Sequence, residues 1–528
     1  MRSSVLSKIR IVFSVIILLL LVAIFVDIRQ LVPEKYINLL LFLQFIPSAN
    51  KFISAGAVAA IGFIIVLAIT VLTGRTYCSF LCPLGILQDI FSRIGGRIRK
   101  RFRRYGFKKP HTFLRYSLLA ATLVITMTWG AYFLTLLDPY SIFGRTMTYF
   151  AKPVVLMLNN LLSGIFGKFD IYTFVHAPVT GFAITSYYIP AAFILLIGIL
   201  SLTRGRLYCN TVCPVGTLLG LFSKVSLLRI KFDASKCKMC GRCAVACKSS
   251  CIDFLNKDID NSRCVGCFNC LKSCPDKALE YNFTSFRKKT GDTDVSTEAV
   301  TDNGRRNTIA GLLFVLLGIR SAVSSAQNKV APVPKKASTV KEKKTSPVSP
   351  PGSTSITNFK ANCTACSLCI SVCPNNVLVP SVKEYGIASV MQPHMDYHKG
   401  FCAYECIRCI EVCPTGAMLP LMIDAKKLTQ IGKAVFIKDN CIVNTEKTAC
   451  GACAESCPTK AVHMIPFEGK LVIPETRDEI CIGCGHCEFA CPTTPYKAIF
   501  INGNVRHAAA SKPVNTQTDF KKPEEFPF

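Results

Sequence analysis

The chain has 528 residues, 29 cysteines and a formal net charge of +30, yet only 18% of its residues are charged and its mean hydropathy is positive. That balance excludes an ordinary soluble enzyme and a disordered tail, and it fits apolar membrane segments joined to compact polar modules. Basic charge also suits nucleic-acid binding, but no recognition fold surrounds the basic runs, so no nucleic-acid partner is expected.

Four apolar stretches come first in the chain: Ile11–Val26, Ile53–Leu72, Phe113–Leu137 and Val179–Leu202. Each is near the ~20 residues that a bilayer requires. No small-residue cleavage site follows Val26, so the first stretch reads as a span and not as a signal peptide. Between the second and third lies Arg93–Lys109, with nine basic residues and no acidic one. Excess Lys and Arg mark cytoplasmic loops, which places this loop and the N-terminus, with Arg2, Lys8 and Arg10, in the cytoplasm. The fourth span returns there, and Arg204, Arg206, Lys224, Arg229 and Lys231 follow it. Asn38–Pro47 and Ala151–Gly167 are shorter apolar pieces on the outer side, interfacial or re-entrant.

The expected organisation is multi-domain: an α-helical membrane domain plus two cysteine-rich modules, whose repeated C-x2-C-x2-C-x3-C spacing marks them as α+β bacterial-ferredoxin-like iron–sulfur modules. Residues 1–231 form the membrane domain and 232–282 a cytoplasmic two-cluster module. Residues 283–328 hold Gly304-Arg305-Arg306-Asn307 and the apolar Thr308–Ile319, either a twin-arginine export signal or a fifth span. Both readings carry the rest of the chain to the periplasm. Residues 329–355, rich in Pro, Ser and Lys, read as an exposed linker. Residues 356–510 form a four-cluster module, and 511–528 a loose tail.

The cysteines carry the chemistry. Cys237, Cys240, Cys243 and Cys247 have the spacing C-x2-C-x2-C-x3-C. Cys264, Cys267, Cys270 and Cys274 repeat it, as do Cys363, Cys366, Cys369 and Cys373, and Cys481, Cys484, Cys487 and Cys491. In two variants the opening is longer: Cys402, Cys406, Cys409 and Cys413, and Cys441, Cys450, Cys453 and Cys457. Pro follows at 275, 374, 414, 458 and 492. This is the bacterial ferredoxin run, in which the fourth Cys ligates the neighbouring cluster. Structural zinc uses separated Cys pairs instead, and disulfide geometry suits this spacing poorly. Six [4Fe–4S] clusters are expected. In the first module one takes Cys237, Cys240, Cys243 and Cys274, and the other Cys264, Cys267, Cys270 and Cys247. In the second module the quartets pair first with fourth and second with third, or in chain order; spacing leaves both open. Cys251 is left over and reads as a buried thiol.

Four more cysteines form two C-x3-C-P elements, Cys78/Cys82 and Cys209/Cys213, each just past a span. Gly74-Arg75-Thr76-Tyr77-Cys78 matches Gly205-Arg206-Leu207-Tyr208-Cys209. A two-fold repeat in a membrane domain often places a site at its interface. These thiols suit a further iron site, a redox-active dithiol pair or buried structural cysteines. There is no C-x-x-C-H for attached haem, no paired span histidines (His111 and His176 stand singly), no dinucleotide fingerprint and no P-loop. His394, His398, His463 and His486 lie among the outer quartets and read as packing or surface residues.

Residues 1–282, with both C-x3-C-P elements and the two quartets from Cys237 to Cys274, resemble the NapH family, which includes the ferredoxin part of NosR and the CcoG-type proteins. Residues 305–503, a twin-arginine leader and four quartets, resemble NapG. The resemblance implies a quinol dehydrogenase of the bacterial inner membrane, passing electrons from the quinol pool, with quinone as a further cofactor, to a periplasmic redox partner. The CcoG-type resemblance implies an alternative, an accessory redox factor in assembly of another metalloenzyme. Neither names a catalytic residue.

Overall fold

The computed structural model describes residues 3–283 and 340–512, except 28, 30, 56–60, 99–104, 131, 171–173, 178–183, 234 and 387–388. The twin-arginine segment, the apolar stretch Thr308–Ile319 and the end of the tail lie outside the described residues. The described parts belong to one compact unit, 1–284 together with 338–528.

Among the described residues three helices are long and apolar enough to cross a membrane: Val5–Val26, Pro139–Gly167 and Thr185–Arg204. Shorter apolar helices cover Gly62–Thr73 and Thr112–Thr128. Three expectations change. The stretch Ile53–Leu72 is divided between helix α3 (Phe45–Ala55), which follows α2 (Glu34–Phe42), and α4 (Gly62–Thr73), after which come α5 (Tyr77–Phe80) and α6 (Pro83–Ile98). The stretch Phe113–Leu137 breaks at Gly130, whose φ of +87° ends α7 (Thr112–Trp129) before α8 (Tyr132–Leu137). A side chain at Gly130 would also lie 3.0 Å from Ala361 Cα of the C-terminal module. Ala151–Gly167 is not a separate piece. A π-helical turn, Met147–Ala151, joins α9 (Pro139–Thr146) to α10 (Lys152–Gly167), giving one apolar helix of 29 residues.

The two halves repeat in structure as well as sequence. A broken helix precedes each C-x3-C-P element. In the first half the break falls at Leu43–Gln44, and in the second at Asp138. The Asp138 carboxylate caps α9 by accepting from the N–H groups of Tyr140 (3.2 Å) and Ser141 (2.9 Å), with Pro139 at the first helical position. Each break is held by the tyrosine of one element. The Tyr77 hydroxyl accepts from Phe45 N–H (3.2 Å) and donates to Gln44 Oε1 (3.3 Å). The Tyr208 hydroxyl donates to the Leu137 carbonyl (2.9 Å). At both breaks the freed backbone groups find partners inside the protein.

Helix α1 (Ser3–Val26) ties the layers together. At 1.5 Å per residue it is about 36 Å long. Leu6, near its start, packs on the first ferredoxin module. Leu21, Ile24 and Phe25, near its end, pack with Tyr140 and Phe143 of α9 and with Cys366 of the second module.

The first module closes with strands β1 (Leu228–Phe232) and β4 (Leu279–Phe283) pairing antiparallel, and a short hairpin β2 (Ile252–Asp253) and β3 (Asp258–Ile259) between them. The second contains three antiparallel pairs, of which the longest joins Thr429–Phe436 to Ile499–Ala509. The exposed-linker reading fails from Val340 onward. Asn440 Oδ1 accepts from Val340 N–H (3.0 Å), Lys344 meets Glu488 (2.5 Å), and Val348, Ser349 and Ser353 are buried. Composition misleads there because the polar side chains are consumed by partners within the module.

Candidate electron-transfer site

The four regular quartets share one backbone device. The residue before the second Cys and the residue after it both take positive φ: Met239 and Gly241, Gly266 and Phe268, Ala365 and Ser367, Gly483 and Gly485. The loop thereby curls its N–H groups inward, a concavity suited to an anionic cluster. Four of the eight are not glycine: Met239, Phe268, Ala365 and Ser367 accept a conformation that costs a side chain of order 1–3 kcal/mol. The two quartets with longer openings, at Cys402 and Cys441, do not use this pair of positions.

The cavities group the cysteines as cross-ligation would require. One is lined by Cys237, Cys240, Cys243 and Cys274. Others are lined by Cys363, Cys366, Cys369 and Cys413, by Cys373, Cys402, Cys406 and Cys409, and by Cys441, Cys450, Cys453 and Cys491. Cys270 interacts electrostatically with Cys267, Cys264 and Cys247, and Cys487 with Cys484, Cys481 and Cys457. Six sets of four result, and the outer quartets pair in chain order, first with second and third with fourth. Among the described residues no three cysteine sulfurs lie within 4.8 Å of one another, whereas tetrahedral zinc with ~2.3 Å bonds would hold them ~3.8 Å apart. The wider spacing fits a cluster with an iron at each corner. The pairing has a direct test. Cys491→Ser should cost ~4 Fe, and adding Cys441→Ser should cost no more; a loss of ~8 Fe in the double variant overturns it.

The sets lie in sequence through the molecule. Cys240 of the first set is exposed. Cys267 of the next is in the same apolar cluster as Cys78, Cys82, Cys209 and Cys213. Leu81 and Leu87 border that cluster and also the one that contains Cys366. Tyr140 interacts electrostatically with both Cys366 and Cys413. Beyond them Cys369 neighbours Cys409, the Cys402 N–H donates to the Cys484 carbonyl (2.9 Å), and Cys487 neighbours Cys453.

The four remaining cysteines meet in the interior, each about 2–3% exposed. Their setting is reciprocal. Arg75 Nη2 of the first element donates to the Cys209 carbonyl of the second (3.1 Å), and Arg206 Nη1 of the second donates to the Cys78 carbonyl of the first (2.6 Å). Glycine is required where these arms pass: a Cβ at Gly85 would lie 2.2 Å from the Cys78 carbonyl oxygen, and one at Gly216 2.2 Å from that of Cys209. Arg75 Nε, Arg206 Nη2 and Gln88 Nε2 are buried without a hydrogen-bond partner. Gln88 Oε1 lies 3.1 Å from Cys209 Sγ, so turning the amide over would aim its N–H at the sulfur. Unmet buried donors beside four thiols fit an anionic iron–sulfur group. The Arg and Tyr of each element are thus buried parts of the framework around these four cysteines.

Sequence reading missed contacts made only in three dimensions. Cys251, fully buried, lies 3.5 Å from Cys247 Sγ and also hydrogen-bonds Cys264. His486 Nδ1 lies 3.3 Å from Cys484 Sγ, with the ring against Phe401. Hydrogen bonds to ligand sulfurs tune cluster potentials. His394, His398 and His463 touch no cluster sulfur among the described contacts; His398 and His463 face glutamates.

Comparison with known proteins identifies the class. A family model described as a 4Fe-4S binding domain matches residues 55–101 and 185–234, the segments carrying the two C-x3-C-P elements. One described as a 4Fe-4S dicluster domain matches 362–417 and 448–494. The ferredoxin-type protein NapF of Escherichia coli K12 is 26% identical over 159 residues, 30% of this chain and 87% of NapF. The methylamine utilization ferredoxin-type protein MauM of Methylobacillus flagellatus is 31% identical over 157 residues, 27% of this chain and 62% of MauM. The putative electron transport protein YccM of E. coli is 26% identical over 202 residues, 37% of this chain and 47% of YccM. No solved structure matches. The chain is a ferredoxin-type iron–sulfur electron-transfer protein with multiple [4Fe–4S] clusters and helices able to cross a membrane.

Proposed function

We propose that this chain is a transmembrane electron conduit that takes electrons from membrane quinol and delivers them to a periplasmic redox partner. One observation carries the reading: the buried set Cys78, Cys82, Cys209 and Cys213 shares an apolar cluster with Cys267 of the first module, and Leu81 and Leu87 border both that cluster and the one that holds Cys366 of the second. Six sets hold [4Fe–4S] clusters and the central set a seventh iron centre; these groups supply one-electron storage. The protein's own part is spacing and insulation. Leu81, Leu87, Phe25 and Phe143 exclude water along the route, and Arg75 and Arg206 offset the negative charge of the central thiolates. The basic loops support a cytoplasmic first module, and the packing of Leu6 on that module and of Phe25 against Cys366 supports a second module at the other end of α1.

The accessory reading requires the C-x3-C-P thiols to exchange with a partner. Thiol exchange requires access, and these four are buried. The conduit reading is therefore preferred. Anaerobic protein in detergent should contain about 24 Fe in the six ferredoxin sets, plus the central centre, and should develop reduced-cluster EPR signals on addition of a quinol analogue. Full iron with no quinol response would sink the quinol assignment.

A further inference from the structure

A cavity of about 100 Å³ opens beside the first ferredoxin module, between the ends of two apolar helices. Its basic lining is Lys108, Lys109, His111, Arg204, Lys248 and Arg263, and no acidic side chain lines it. Some of this charge is already matched. Lys248 Nζ lies 3.3 Å from Asp89, and Arg263 Nε lies 2.5 Å from Asp260. Arg263 Nη1 donates to the Lys108 carbonyl (2.7 Å). Arg263 Nη2 has no partner, and neither does Ser249 Oγ, although both residues line the cavity and are about 95% buried. Leaving buried donors unmet costs about 1–3 kcal/mol each, more for a charged group. A fold that keeps two of them at one basic cavity holds them for an acceptor.

We propose that this cavity binds a phosphate group. The donor set matches: a guanidinium arm, a hydroxyl and mobile ammonium groups suit an oxyanion with several acceptor oxygens. The volume is several times the ~10–15 Å³ that one water requires, which leaves room for a small polar anion. Position indicates its source. Arg204 ends the apolar helix Thr185–Arg204, and His111 immediately precedes α7, so the cavity sits at the level where lipid headgroups lie. Basic pockets between spans at this level take anionic headgroups. Free phosphate would present the same oxygens. The site is independent of the electron route, although Lys248 and Asn210, which line it, adjoin Cys247 and Cys209.

The test uses the full cluster-loaded chain. Its binding of phosphatidylglycerol and of phosphatidylcholine is compared by native mass spectrometry from nanodiscs of each lipid, and its binding of inorganic phosphate by calorimetry in detergent. Lys109 and Arg204 are exposed, so Lys109→Gln/Arg204→Gln should fold normally, checked by unchanged iron content and cluster absorbance. Removing two cations should weaken binding about tenfold or more. Ser249→Ala, which alters no charge, should weaken it several-fold. Retention of phosphatidylglycerol over phosphatidylcholine, lost in the double variant, assigns a lipid headgroup. Calorimetric binding of inorganic phosphate with no lipid preference, lost in the same variant, assigns free phosphate. Absence of both, or binding undiminished in the double variant, overturns the proposal.

Discussion

A Cys82→Ala/Cys213→Ala variant should keep its six ferredoxin clusters and lose electron transfer between the two modules. The substitutions remove one thiol from each repeat at a site where all four are buried within one apolar cluster. None of the six ferredoxin sets includes either residue, so about 24 Fe should remain. The experiment is EPR on proteoliposomes given an impermeant reductant on the side of the first module. In the wild type, signals from both modules should appear. In the variant only the sets between Cys237 and Cys274 should respond. Wild-type reduction of the second module in the variant would show that electrons bypass the central cysteines. Loss of the six clusters would instead assign them a purely structural role.

Asp89→Asn should destabilise the protein by about 3–5 kcal/mol, the usual cost of stripping the partner from buried charge. Asp89 Oδ2 lies 2.7 Å from Arg10 Nη1, and Oδ1 lies 3.0 Å from Arg206 Nε and 3.3 Å from Lys248 Nζ. It thus ties α1, the helix Pro83–Ile98, the second C-x3-C-P element and the first ferredoxin module at one point. Burial pushes its carboxyl up, but Arg206, Lys248 and Arg10 together outweigh this and hold it well below the usual carboxylate range. The sign follows. A depressed carboxylate contributes its full stability above the unfolded value of ~4 and loses it as pH falls below that. Chemical denaturation of the cluster-loaded protein should show a lower midpoint in Asp89→Asn at pH 7. The gap between variant and wild type should narrow as the solution is acidified below ~4. An unchanged midpoint at pH 7 would mean that water already satisfies the three cations.

Cysteine spacing and apolar runs made much of the design legible. The quartets, the doubled C-x3-C-P element and the separation into apolar and polar parts are local features, written in consecutive residues. The expected sets of the first module were legible for the same reason, since its two quartets have no other partner within their module, and the cavity lined by Cys237, Cys240, Cys243 and Cys274 has that grouping. The pairing of four outer quartets was not, because it depends on which loops the Thr429–Phe436 and Ile499–Ala509 strands draw together. Residues 340–355 were misread for a related reason: their composition is that of a linker, and only contacts such as Lys344 with Glu488 show them packed.

The sequence by itself determined the cofactor chemistry, because soft thiolates at ferredoxin spacing suit little else. It determined the repeat as well. Only the tertiary structure decided that Arg75 and Arg206 reach across to each other's cysteine elements, that the broken helices at Gln44 and Asp138 turn inward to Tyr77 and Tyr208, and that Cys366 packs against Phe25 and Tyr140. These contacts join residues more than a hundred positions apart or depend on a helix breaking at one residue. No local pattern encodes them; they arise because every buried donor and apolar face had to find its partner elsewhere in the chain.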